Sequence, residues 1–252
     1  MPALTDILVS NAGTGRIDGY AAAQALFCLG GTNALEALDQ HLFQLDEYNE
    51  RLAAMYVFHW EMPEPHRSQF IQQYLLKNIG QDLELTLEAK TEDGGRTLRF
   101  RLTFKNVSTR LLDLLPLLHH FYLRSGDGRF LPRSGSIIAD GLKAQWLRLK
   151  PNESQIVEVT GQVKPAKAFE PYEQKLAKDA TARGLAKGVE VMLMPGFERY
   201  FLDKPEPFEA IFVLEQTPLA AVQKSRLKLE YPWIGRAVSA PVTITLGKQA
   251  WE

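Results

Sequence analysis

The chain has 252 residues, 45% hydrophobic and 23% charged, a balance that excludes wholesale disorder and allows a large core in one or two domains. With 29 basic and 30 acidic residues the formal net charge is -1, so no excess positive field exists to attract nucleic acid or an anionic membrane. Cys28 is the single cysteine, which excludes an intrachain disulfide and points to a reducing compartment.

No stretch reaches the roughly 20 apolar residues of a membrane span. Arg16 follows the short apolar run Ile7–Val9 instead of preceding it, unlike the charged start of a secretory leader. The expectation is a cytoplasmic protein.

In chain order, residues 1–80 read as helical. Asp18 caps an Ala- and Leu-rich helix over Tyr20–Leu29, which Gly30 and Gly31 stop. Thr32 or Asn33 starts a second helix, with Leu35, Leu38, Leu42 and Leu45 at helical spacing. A third runs from about Asp46 to Trp60, and Met62–Pro65 ends it. A fourth begins near Pro65 and carries Phe70, Ile71, Tyr74 and Leu75 towards Gly80. Four short helices joined by tight turns predict antiparallel helical hairpins.

From residue 82 the period changes to two. Leu83, Leu85 and Leu87 share one face of Asp82–Lys90; Leu98, Phe100, Leu102 and Phe104 share one face of Arg96–Lys105. A turn containing Gly94 and Gly95 separates the runs, which predicts a half-buried β-hairpin. Further strands are predicted at Leu117–Arg124, Gly128–Pro132, Ala144–Leu149, Gln155–Val163, Val189–Met194, Phe208–Leu214, Ser225–Tyr231 and Val242–Leu246. Turns at Ser125–Asp127 and Lys150–Glu153 separate neighbours. The count suits a β-sandwich, with a barrel as the alternative. Residues 164–188 interrupt it as an inserted helix or loop, mildly basic through Lys175, Lys178 and Arg183.

Candidate chemistry is sparse. Asp6–Gly13 resembles the Asn-Ala-Gly segment of short-chain dehydrogenase/reductases, but no strand or glycine-rich phosphate loop precedes it and no tyrosine has lysine four residues on. His59, Glu61 and His66 are separated by Pro63 and Pro65, so they cannot share a helix face as a metal motif requires. His119 and His120 alternate on a predicted strand and point to opposite faces. Cys28 on an apolar helix reads as a small core residue. Asp127 between two glycines reads as hairpin chemistry, not as a calcium ligand. No catalytic residue, metal site or cofactor is assigned. The binding candidates are Tyr231 and Trp233 on a loop, with Lys175, Lys178 and Arg183 in the insertion.

Two family resemblances accompany these readings. Tyr20–Leu26, Leu29-Gly30 and Ala34–Leu38 resemble the two helices and turn of a HEAT repeat. Phe104–Ser108, Leu147–Ser154 and the Pro-Val-Thr-Ile-Thr-Leu run ending at Leu246 resemble an immunoglobulin-like sandwich. The combined expectation is an α+β fold, with helical hairpins over 1–80 packed on an antiparallel sandwich over 81–252. Such architectures imply a protein partner and a non-enzymatic assembly, scaffold or adaptor role. The alternatives are a carbohydrate-type ligand module using Tyr231 and Trp233, or an enzyme whose site converges from distant segments.

Overall fold

A computed structural model of the chain describes residues 66–114, 119–131, 133–134, 147–165, 188–193, 198–216 and 229–251. The alternating hairpin forms as its pattern demands. Strands β1 (Leu83–Glu92) and β2 (Thr97–Asn106) pair antiparallel from Leu83↔Asn106 to Glu92↔Thr97. Leu98, Phe100, Leu102 and Phe104 are buried, while Arg99, Arg101 and Lys105 are exposed. The turn Asp93–Gly95 needs left-handed backbone, with φ of 51°, 66° and 96°, which explains its two glycines.

Ten further strands follow: β3 (Leu112–Leu114), β4 (His119–Ser125), β5 (Arg133–Ser134), β6 (Leu147–Leu149), β7 (Ser154–Pro165), β8 (Val189–Leu193), β9 (Glu198–Leu202), β10 (Phe208–Gln216), β11 (Gly235–Val238) and β12 (Val242–Ile244). One sheet has the order β1-β2-β7-β8-β9-β5. In the second, β10 carries β11 and β12 in succession and also pairs with β4. A two-stranded ladder joins β3 to β6. Every named ladder is antiparallel.

The two sheets enclose a common core. Phe100 of the first sheet meets Phe121 of the second at 4.8 Å between ring centroids, and Phe121 meets Phe212 edge-on at 5.0 Å. Leu102, Val159, Val191, Leu123 and Leu214 fill the surrounding positions. The sheets are also joined by polar contacts within the core. Glu198 Oε2 accepts the Phe121 amide at 3.1 Å, and the Tyr200 hydroxyl donates to the Phe121 carbonyl. A buried carboxylate is thereby given a hydrogen-bond donor in an otherwise apolar interior.

The expected helical hairpins are corrected. Among the described residues, α-helix is confined to α1 (His66–Phe70), continued by one π-helical turn over Ile71–Leu75. The first three predicted helices lie in residues 1–65, outside the described residues. Phe70, Ile71, Tyr74 and Leu75 are buried, and the segment that carries them is hydrogen-bonded to strand residues and a loop. Phe130 N donates to Ser68 Oγ at 3.0 Å, Arg124 Nη1 to Gln72 Oε1 at 3.1 Å, and the buried Arg236 to the Tyr74 carbonyl at 2.6 Å. Arg236 also binds Glu215 at 2.7 Å, and Ile79 bridges to Arg236 through backbone hydrogen bonds. Helical periodicity marks the correct buried residues here; it does not say what packs on them. Among the described residues no HEAT-like repeat is present, and the fold is mainly antiparallel β.

The immunoglobulin-like resemblance is corrected with it. Its turns are real local structure, but the β1-β2-β7-β8-β9-β5 order differs from the Greek-key pairing of that fold. Asn106, fully buried, donates to the carbonyls of Arg110 and Leu149 and accepts Ser108 N at 2.9 Å. Asn152 takes φ 63°, a conformation asparagine tolerates, and its amide donates to the Asn106 carbonyl at 2.9 Å. Both motifs report chain reversals. Neither dictates how strands are ordered across a sheet.

Candidate interaction site

Among the described residues, a dense polar constellation around the exposed predicted site residue Tyr231 is built on β3. Its sequence is Leu112-Asp113-Leu114, and all three residues are fully buried. A charge fixed between core leucines needs partners, because burying an unpaired carboxylate is prohibitively costly. Arg148 on β6 supplies two hydrogen bonds, Nε to Oδ1 at 2.8 Å and Nη2 to Oδ2 at 3.0 Å. The amides of Glu230 and Tyr231 donate to Oδ2 at 2.8 and 2.9 Å.

The main chain of Asp113 extends the clamp. Its amide donates to the Tyr231 carbonyl at 2.7 Å, and its carbonyl accepts Trp233 N at 3.0 Å and Gln216 Nε2 at 3.3 Å. One buried residue therefore fixes the backbone of 230–233 at four points. Burial pushes the Asp113 carboxyl up, but hydrogen bonds from Arg148, Tyr231 and Glu230 outweigh it and hold its pKa below the ordinary carboxylate value. The hydrogen bond to Asp113 in turn raises Arg148.

On this clamp the two loop aromatics take opposite roles. Trp233 is 1% exposed and joins the core, its ring acting as the anchor of the loop. Tyr231 is 45% exposed, with the Arg148 guanidinium 5.5 Å from its ring centroid. Ile234 is 43% exposed next in line, and Glu230 reaches back to Arg148 at 3.1 Å. The site thus offers an exposed aromatic and an exposed aliphatic side chain on a backbone that cannot easily move.

A planar platform of Tyr231 and Trp233 would require both rings at the surface, and burial of Trp233 removes one of them. Lys175, Lys178 and Arg183 lie outside the described residues, as does most of the 164–188 insertion. His119 and His120 stand opposite Leu214 and Val213 in the β4–β10 ladder. Asp127 accepts Ser125 Oγ and Arg129 Nε, and Arg129 first and Ser125 next hold its pKa well below the ordinary carboxylate value. Glu209 is paired with Arg124 at 2.7 Å. No cluster of three or more His, Cys, Asp or Glu residues suited to a metal occurs among the described residues. Among them, no helix is long and apolar enough to cross a membrane.

Sequence reading missed Asp113, Arg148, Glu230 and Ile234. A signal for Asp113 was present: it is the lone charge in the run Leu111-Leu112-Asp113-Leu114-Leu115. Such a residue is either exposed by a turn or buried with a cation, and Arg148 is the cation here.

No protein-family model and no curated protein matches this chain. Among solved structures, it is similar over 77% of its length to the Pseudomonas fluorescens alkylpurine DNA glycosylase AlkC bound to DNA containing an abasic site analog, at 10% identity and a TM-score of 0.26. The chain spans 54% of that protein's length. It is similar over 68% of its length, and 87% of the other chain, to the yjhA protein from Bacillus subtilis, at 12% identity and a TM-score of 0.20. Superpositions this loose assign neither fold nor function.

Proposed function

We propose that this protein works by binding a protein partner, as a non-enzymatic assembly or adaptor component, with Tyr231 as the anchoring contact. The observation that carries the reading is a half-exposed tyrosine on a loop whose backbone is clamped by the buried Asp113. Large aromatics dominate binding energy at protein interfaces, and a contact already rigid before binding loses little entropy in the complex. Ile234 extends the apolar contact, while Arg148 and Glu230 supply a polar rim. The near-neutral charge balance favours a protein partner over nucleic acid, and the single cysteine favours the cytoplasm.

The test is quantitative affinity capture with the full chain as bait, comparing wild type with Tyr231→Ala and Ile234→Ala. The reading predicts a stoichiometric partner that is lost with Tyr231→Ala and weakened with Ile234→Ala, while thermal unfolding of both variants stays close to wild type. Equal recovery by wild type and Tyr231→Ala, or no stoichiometric partner, contradicts it.

A further inference from the structure

Val107, Ile156, Tyr231 and Ile234 are the large apolar side chains that stand exposed among the described residues, and two of the four lie on the clamped loop. The backbone of that loop has no donor to offer a partner. The amides of Glu230 and Tyr231 are spent on the Asp113 carboxylate and that of Trp233 on the Asp113 carbonyl, while Pro232 has none. Addition of a partner strand needs such donors, so recognition at 230–233 falls to side chains.

The charges of the clamp set the sign of what those side chains can recognise. Asp113 and Glu230 are two carboxylates set against the one guanidinium of Arg148, which leaves these three groups with a net negative charge. Asp113 is fully buried and both its oxygens are occupied. Arg148 places Nε and Nη2 on Asp113 and Nη1 on Glu230 at 3.1 Å, so each of its nitrogens is engaged. The Glu230 side chain is 64% exposed against 33% for Arg148. A carboxylate accepts up to about four hydrogen bonds, so Glu230 keeps capacity while held by Arg148. The charge that faces solvent with room for a partner is therefore negative.

Tyr231 reinforces that sign. An aromatic face attracts a cation, as Arg148 already shows at 5.5 Å from the ring centroid. A basic side chain arriving from solvent would meet the exposed ring and the Glu230 carboxylate together, and its aliphatic stem suits an apolar surface such as Ile234. An acidic side chain would meet Glu230 as a like charge and find the Arg148 nitrogens already taken.

We infer that the Tyr231 loop recognises a basic side chain, arginine or lysine, on a protein segment that carries an apolar residue beside it. The cation pairs with Glu230 and lies against the Tyr231 ring, and the apolar neighbour contacts Ile234. The inference rests on the reading that Tyr231 meets a protein partner, and it supplies the chemistry of that partner.

The experiment is selection of a random linear peptide library on the immobilised full chain, keeping the peptides whose binding is lost with Tyr231→Ala. Affinities of synthetic copies are then measured by calorimetry against wild type, Glu230→Gln and Glu230→Lys, with thermal unfolding confirming that each variant is folded. The retained peptides should carry arginine or lysine next to an apolar residue. Glu230→Gln should weaken them roughly fivefold, and Glu230→Lys should weaken them further. Changing the basic residue of the peptide to glutamate should restore binding to Glu230→Lys, an outcome that a merely structural role of Glu230 would not produce. Retained peptides that are acidic or lack a basic residue, affinities that Glu230→Gln leaves unchanged, or a charge swap without rescue would overturn this inference alone. If no peptide depends on Tyr231, the inference and the protein-partner reading fall together.

Discussion

Asp113 and Arg148 meet across the β3–β6 ladder as a bidentate pair, and the same carboxylate holds the amides of Glu230 and Tyr231. The pair joins a buried position to a surface loop. Removing the carboxylate takes the bidentate partner from Arg148 and leaves two backbone donors unpaired at once. Asp113→Ala should lower the unfolding free energy by about 3 kcal/mol or more. Urea unfolding measures this, and a change under about 1 kcal/mol would show that the clamp is not holding the loop.

Acid should dissolve the same clamp. The Asp113 carboxyl has its pKa lowered in the folded protein, so its contribution is complete above the ordinary aspartate value of about 3.9. It is then lost as the pH falls through the lower, folded value. The stability gap between wild type and Asp113→Asn should therefore be constant near neutrality and shrink below about pH 4. A gap that widens on acidification would reverse the sign.

The core makes a separate claim. Phe121 packs against Phe100 on the opposite sheet and Phe212 beside it, at 4.8 and 5.0 Å. Phe121→Ala should cost about 3–5 kcal/mol, because a cavity opens between two sheets that cannot close on it. Thermal and urea unfolding should agree on the loss.

The β1–β2 turn is bound to the C-terminal segment. Gly95 has φ 96°, and a Cβ there would fall 2.3 Å from Gly247 N. Gly95→Ala should destabilise by at least about 1 kcal/mol through both strain and displacement of Gly247. The accompanying sign is faster hydrogen exchange in 247–251, which Arg96 also holds by its bond to the Gln249 carbonyl.

Strand positions with a clean period were legible before any coordinates. The hairpin of β1 and β2, the long β7 and most of β10 follow directly from alternation or an apolar run. The short strands were not. Gly235–Val238 and Leu112–Leu114 have too few residues to show a period, and long-range pairing defines them. Helical spacing in 70–75 was read correctly as burial but extended wrongly to a hairpin, since periodicity records which side is covered and not by what. Tyr231 and Trp233 looked alike in sequence. Their opposite fates depend on Asp113, more than a hundred residues away, whose contacts no local pattern contains.

Site-specific photo-crosslinking tests whether Tyr231 meets a protein partner. A photoreactive phenylalanine analogue at position 231 of the full chain, irradiated in cells, should yield one discrete adduct with a partner protein. The same analogue at the exposed β7 residue Thr160 should yield none. No adduct above the Thr160 control would contradict the claim.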